Sequence, residues 1–104
     1  MRIYPDYLGR NLRFTDERSE HIESNHPEMK GQDNKIQETL LNPDSVRRSK
    51  TDIEAELFYK LYASTPVTRK YLCIVVKASM RDPFAITAYF TDTIKQGEIL
   101  WPKK

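Results

Sequence analysis

Among the 104 residues there is one cysteine, and there are three glycines and two histidines; each scarcity narrows what the chain can be. Cys73 has no second cysteine to pair with, so no internal disulfide forms, and a reducing, intracellular home fits. No apolar run approaches the roughly 20 residues of a membrane span. The opening Met1-Arg2-Ile3-Tyr4-Pro5-Asp6 lacks the apolar stretch of a signal peptide. A cytoplasmic protein without a membrane partner is therefore expected. Gly9, Gly31 and Gly97 are too scattered for a phosphate-cradling loop, and no nucleophile-elbow pattern occurs. Neither a nucleotide cofactor nor serine- or cysteine-based catalysis is expected, and Cys73 reads as a small buried hydrophobe.

Both histidines fall in one polar segment, Glu20-His21-Ile22-Glu23-Ser24-Asn25-His26-Pro27-Glu28. Histidine exchanges protons near neutral pH more readily than any other side chain, so acid–base chemistry is expected here first. On a helix His26 falls near Ile22, its i−4 neighbour, while His21 lies about 100° away. The rings diverge by about 140°, which argues against a shared metal. The segment is not His-Glu-x-x-His, and no other zinc ligand set exists, so no metal site is assigned.

Net charge is +2, but it is unevenly spread. Residues 1–45 hold 6 Lys/Arg and 9 Asp/Glu (−3); residues 46–104 hold 11 and 6 (+5). A basic second half points to a polyanion such as nucleic acid. Its core is Arg47-Arg48-Ser49-Lys50, followed by Lys60, Arg69, Lys70, Lys77 and Lys95. Arginine pairs bidentately with phosphate and can stabilise charge developing on phosphorus. Tyr59, Tyr62, Tyr71 and Tyr89 offer rings for stacking on bases.

Composition and length describe one domain. Residues 1–11, with Pro5 and Gly9, read as an irregular lead-in, and the domain proper as 12–104. Thr15 is a helix cap followed by Asp16 and Glu17, and that helix should stop at Asn25 or His26 before Pro27. A second helix is expected over Asp33–Leu41, ended by Asn42-Pro43. Strands are expected at 46–50, 54–62, 71–78 and 84–91. Asp92 could cap a last turn reaching Gly97, with Trp101 folding back on the core. The expected class is α+β, with N-terminal helices on one face of a four-stranded antiparallel sheet. Parity puts Leu72, Ile74, Val76, Phe84, Ile86, Ala88 and Phe90 toward the helices. Tyr71, Cys73, Val75, Lys77, Ala85, Thr87, Tyr89 and Thr91 take the other face.

Two ordered blocks then resemble a known superfamily. The first holds Glu17-Arg18, His21-Ile22, His26-Pro27-Glu28-Met29, Leu41-Asn42-Pro43-Asp44, Val46-Arg47-Arg48-Ser49 and Leu57-Phe58-Tyr59-Lys60. The second holds Tyr71 to Lys77, Phe84 to Asp92 and Ile94 to Trp101. Together they resemble phage-type nuclease-fold domains of the barnase, EndoU, colicin and RelE superfamily. The resemblance implies a metal-independent endoribonuclease, a toxin or an effector of phage and conflict systems, in which the ribose 2′-OH attacks the adjacent phosphate. The matching positions are His21, His26, Arg47, Arg48, Tyr59, Lys77, Thr87 and Tyr89. On this reading one histidine takes the 2′-OH proton, and the other, or Tyr59, protonates the leaving oxygen. Arg48 and Lys77 stabilise phosphorus, with Arg47 the alternative to Arg48 on parity, and Thr87 orients the phosphate. Arg47, Lys50, Lys60, Tyr89 and Lys95 bind RNA. The implied partners are RNA and a cognate antitoxin or immunity protein. A non-catalytic RNA-binding module and a protein-interaction domain are the alternatives.

Overall fold

The computed structural model describes residues 1–78 and 81–102. Its elements run β1 (Arg2–Pro5), β2 (Asn11–Phe14), α1 (Asp16–Asn25), a 3₁₀ turn (Pro27–Met29), α2 (Asp33–Leu41), β3 (Ser45–Arg48), β4 (Ala55–Tyr62), β5 (Lys70–Lys77), β6 (Phe84–Thr91) and β7 (Ile99–Trp101). The strands form one sheet in the order β1-β2-β6-β5-β4-β3-β7. All pairings are antiparallel except β2 with β6, which is parallel and meets only at Arg13 and Phe84.

The class is α+β, but the sheet is seven-stranded and mixed rather than four-stranded and antiparallel. The additional strands, β1, β2 and β7, are short segments of three or four residues at the two ends of the sheet. Segments that short carry too few alternations to register as strands, and β1 ends in Pro5. The 1–11 lead-in is consequently not irregular: it supplies β1 and the turn into β2, and Tyr4 and Asp6 are buried. Residues 92–98 form an extended loop rather than a capped helical turn. Trp101 pairs in β7 opposite Val46 and packs against Tyr7 (centroids 5.5 Å apart).

Local chemistry sets the helix ends. The Thr15 hydroxyl accepts from the Arg18 amide at 3.1 Å, and Asp16 and Glu17 face the positive end of the dipole. Pro27 drives His26 out of helical geometry (φ −134°, ψ 76°), though its amide still donates to Ile22 O. Ile22, Met29, Ile36 and Leu40 from the helical layer pack on Val46, Phe58, Leu72, Ile74, Val76 and Ala88. Each of these side chains other than Ala88 contributes about 1.5–3 kcal/mol on burial. No described helix is long and apolar enough to cross a membrane.

Parity fails at one place. A bulge in β6 shifts its register opposite Val75 and Val76, so Val75 faces Thr87 while Val76 faces Ala85. Ala85 therefore joins the main core, in place of the expected Phe84 and Ile86. One inserted residue reverses every side chain beyond it, and no alternation rule foresees the insertion.

Candidate nucleic-acid interface

The sheet face away from the helices is organised in rows set by strand register. One row runs Arg47, Leu57, Val75, Thr87; the next runs Ser45, Tyr59, Cys73, Tyr89. A second, smaller cluster of Leu57, Tyr59 and Cys73 supports this face, with Tyr71, Val75, Tyr89 and Ile94 packed around it.

Above the first row lies a groove of about 500 Å³. Leu57 and Val75 form its floor, and Arg47, Lys50 and Lys95 bring positive charge to its walls. Arg47 Nε donates to Ser45 Oγ at 3.1 Å and Lys50 Nζ to Gln96 Oε1 at 3.4 Å. Among the described residues none of the three cations has a carboxylate within salt-bridge distance. The other basic candidates are neutralised. Arg48 is held by Glu98 (2.9 Å) and donates to Ile53 O, and Lys77 is held by Asp52 (2.7 Å) with Glu54 behind it. Lys60 lies on the helix side of β4, bonded to Asn42 O and near Asp44.

The second row is a buried polar seam. Tyr59 is fully buried, and its hydroxyl accepts from the Lys95 amide at 3.1 Å. The Cys73 thiol lies against the hydroxyls of Tyr59 and Tyr89. Burial, reinforced by Cys73, pushes the Tyr59 phenol up to about 12 and the Tyr89 phenol higher still. Burial also raises the Cys73 thiol, and contact with the two hydroxyls partly offsets this. All three groups are protonated at neutral pH, so they act as hydrogen-bond donors and not as bases.

The two histidines are separated. His21 is exposed on α1, its Nε2 3.0 Å from Asn25 Nδ2, beside Glu17, Arg18 and Ser24. His26 sits at the end of α1, its ring centroid 5.5 Å from that of Tyr89 and its Nδ1 3.6 Å from Glu28 Oε1. Because β2 covers only the start of β6, the later half of β6 has no strand on the edge away from β5, and α1 and the 3₁₀ turn pass there. A helix-end residue thus reaches the helix-free face around an open sheet edge.

The structure therefore brings together His26, Tyr89, Tyr59, Thr87, Arg47, Lys50 and Lys95 on one face, and leaves His21, Arg48, Lys60 and Lys77 elsewhere or already paired. Ser45 and Gln96, which hold Arg47 and Lys50, were not among the sequence candidates. Register would have found Ser45, two residues from Arg47 on the same strand face; nothing in the sequence marks Gln96, which a loop delivers.

That loop depends on Gly97. A Cβ there would lie 2.2 Å from Arg48 O, and the Arg48 amide bonds Glu98 O at 2.9 Å. Gly97→Ala should displace the 94–98 loop, costing about 1–3 kcal/mol of stability. The change alters no charge, so the loss should be read directly in a thermal melt.

The fold and this groove define a small α+β domain with one cationic, aromatic sheet face. No family model, no curated protein and no solved structure matches the chain, so the chemistry of this face is what bears on function.

Proposed function

We propose that this protein is a small metal-independent endoribonuclease that takes single-stranded RNA across the helix-free sheet face. The observation that carries the reading is the groove of Arg47, Lys50 and Lys95, three cations with no carboxylate partner among the described residues, next to protonated phenols and a histidine. Unpaired cations over an apolar floor attract phosphate strongly, and the aromatic groups alongside offer bases a stacking surface. The family resemblance of the ordered sequence blocks points the same way.

Arg47 on β3 and Tyr89 on β6 stand three strand spacings apart, about 14 Å at the backbone. They therefore serve different phosphates. Arg47 and Lys50 hold a flanking one. Lys95, anchored through its amide to Tyr59, stabilises charge on the reacting phosphate, and Thr87 orients it. The 2′-oxygen forms a bond to phosphorus as the bond to O5′ breaks, leaving a 2′,3′-cyclic phosphate and a free 5′-hydroxyl. His26 takes the 2′-OH proton, and the Tyr89 hydroxyl gives its proton to O5′. The protein works in the cytoplasm as a toxin or conflict effector, restrained by a neutralising partner.

The test is cleavage of labelled single-stranded RNA in excess chelator by wild type and by a variant with Arg47, Lys50 and Lys95 all changed to alanine. Wild type should cleave. The variant should fold normally, since it loses no ion pair, and should bind too weakly to cleave. Its salt dependence should be shallower by about two units in log K against log salt, from roughly 0.7 per cation on a single strand. Binding without cleavage by wild type would reduce the reading to an RNA-binding module, and absence of both would remove it.

A further inference from the structure

The helix-free face does not end at Tyr89. Four residues along β5 from Val75, about 13 Å at strand rise, stands Tyr71, paired with Leu61 on β4 and Thr91 on β6. Beside it is a second pocket of about 300 Å³ lined by Leu61, Arg69, Lys70, Tyr71 and Asp92. Two cations and one carboxylate line it, but Lys70 Nζ holds Asp92 Oδ1 at 2.5 Å. Among the described residues no carboxylate pairs with Arg69, which is exposed. The Tyr71 ring is fixed edge-on against Tyr59, with centroids 6.4 Å apart and planes at 87°. A ring held in one orientation loses little entropy when a base stacks on it.

We infer that the Arg69–Tyr71 pocket is a second nucleotide subsite of the same face, stacking a base on Tyr71 and holding a phosphate on the Arg69 guanidinium. The inference rests on the reading of this face as an RNA site and adds a direction to it. The strand lies along β5, from the Arg47–Lys95 groove past Tyr89 to Arg69. A dinucleotide cannot span both ends, whereas a hexanucleotide can. A rigid A-form duplex presents its bases stacked inside and offers none to Tyr71.

Binding is tested with fluorescent 2′-O-methyl oligonucleotides, which lack the attacking hydroxyl and stay intact, by anisotropy in excess chelator. Wild type should bind the hexanucleotide far more tightly than the dinucleotide and prefer it to a duplex. Tyr71→Leu should weaken hexanucleotide binding about 5- to 150-fold, the span of one base–aromatic stack. Arg69→Ala should weaken it several-fold and flatten its salt dependence by about 0.7, one cation's share on a single strand. Neither change should affect the dinucleotide held in the groove. Arg69 is exposed, so its variant folds regardless of what Tyr71→Leu does. Wild-type hexanucleotide affinity in Arg69→Ala, with the groove variant impaired, would overturn the subsite alone. Failure of wild type to bind any oligonucleotide would overturn the subsite together with the RNA reading beneath it.

Discussion

Changing His26 to alanine should slow RNA cleavage by about 10²–10⁴-fold, the span of one positioned acid–base group, and should leave RNA affinity within a few-fold of wild type. The measurement is single-turnover cleavage of labelled RNA in chelator, with affinity read separately on uncleavable oligonucleotide. The fold should tolerate the change. What His26 contributes to the end of α1 is its backbone amide, which alanine retains, and the nearest ionic partner of its ring among the described residues is Glu28, 3.6 Å away. His21→Ala is the internal control. Its ring lies on the exposed side of α1 with Asn25 as its polar partner, so rate and affinity should both stay unchanged. Tyr89→Phe separates the roles further. It keeps the ring beside His26 and removes the hydroxyl, so the rate should fall while affinity holds. Full activity in His26→Ala would move the proton transfer to another group.

The largest expected loss of stability lies on the opposite face of β4 from the groove floor. Arg10 Nε donates to Asp6 Oδ2 at 2.7 Å, and its terminal nitrogens donate to both Glu56 oxygens at 2.8 and 3.3 Å. The Asp6 side chain is fully buried and that of Glu56 is 10 % exposed. One guanidinium thus compensates two carboxylates and ties the N-terminal turn to the middle of the sheet. Arg10→Met keeps much of the stem and leaves both carboxylates without a counter-charge, which should cost about 3–5 kcal/mol. In a domain whose whole stability is about 5–15 kcal/mol, chemical denaturation should show a midpoint shift large enough to leave the variant partly unfolded at 37 °C. Adding Glu56→Met should recover much of the loss, because a buried pair replaced by apolar groups of like size is near neutral. Asp6 must stay, since its Oδ1 also accepts from the amides of Leu8 and Arg10. No recovery in the double variant would mean that the loss came from packing.

Much of the framework was legible from local chemistry. Thr15, Pro27 and Pro43 are local signals: α1 begins and ends beside the first two, and α2 ends beside the third. The long strands β4, β5 and β6 carry enough alternation to be read. The short strands β1, β2 and β7 were not legible, because their stability comes from neighbours rather than from their own residues. Of the candidate site, residue types were legible and availability was not. Arg47 and Arg48 are adjacent and chemically alike, yet one faces the groove and the other is held by Glu98, brought in from 50 residues away. Lys77 shares the helix-free face with Val75, but the 52–54 turn covers its charge.

By itself the sequence determined the helix limits, the two-faced character of the central strands, the basic bias of the second half and the scarcity of proton-exchanging side chains. Each depends on neighbours within a few residues, where steric and capping preferences act directly. Only the tertiary structure decided which cations remain unpaired, which histidine meets the sheet face, and that the N-terminal segment belongs to the sheet. Those outcomes depend on pairings between residues far apart in the chain, on a bulge that resets parity, and on an open stretch of β6 around which His26 reaches Tyr89.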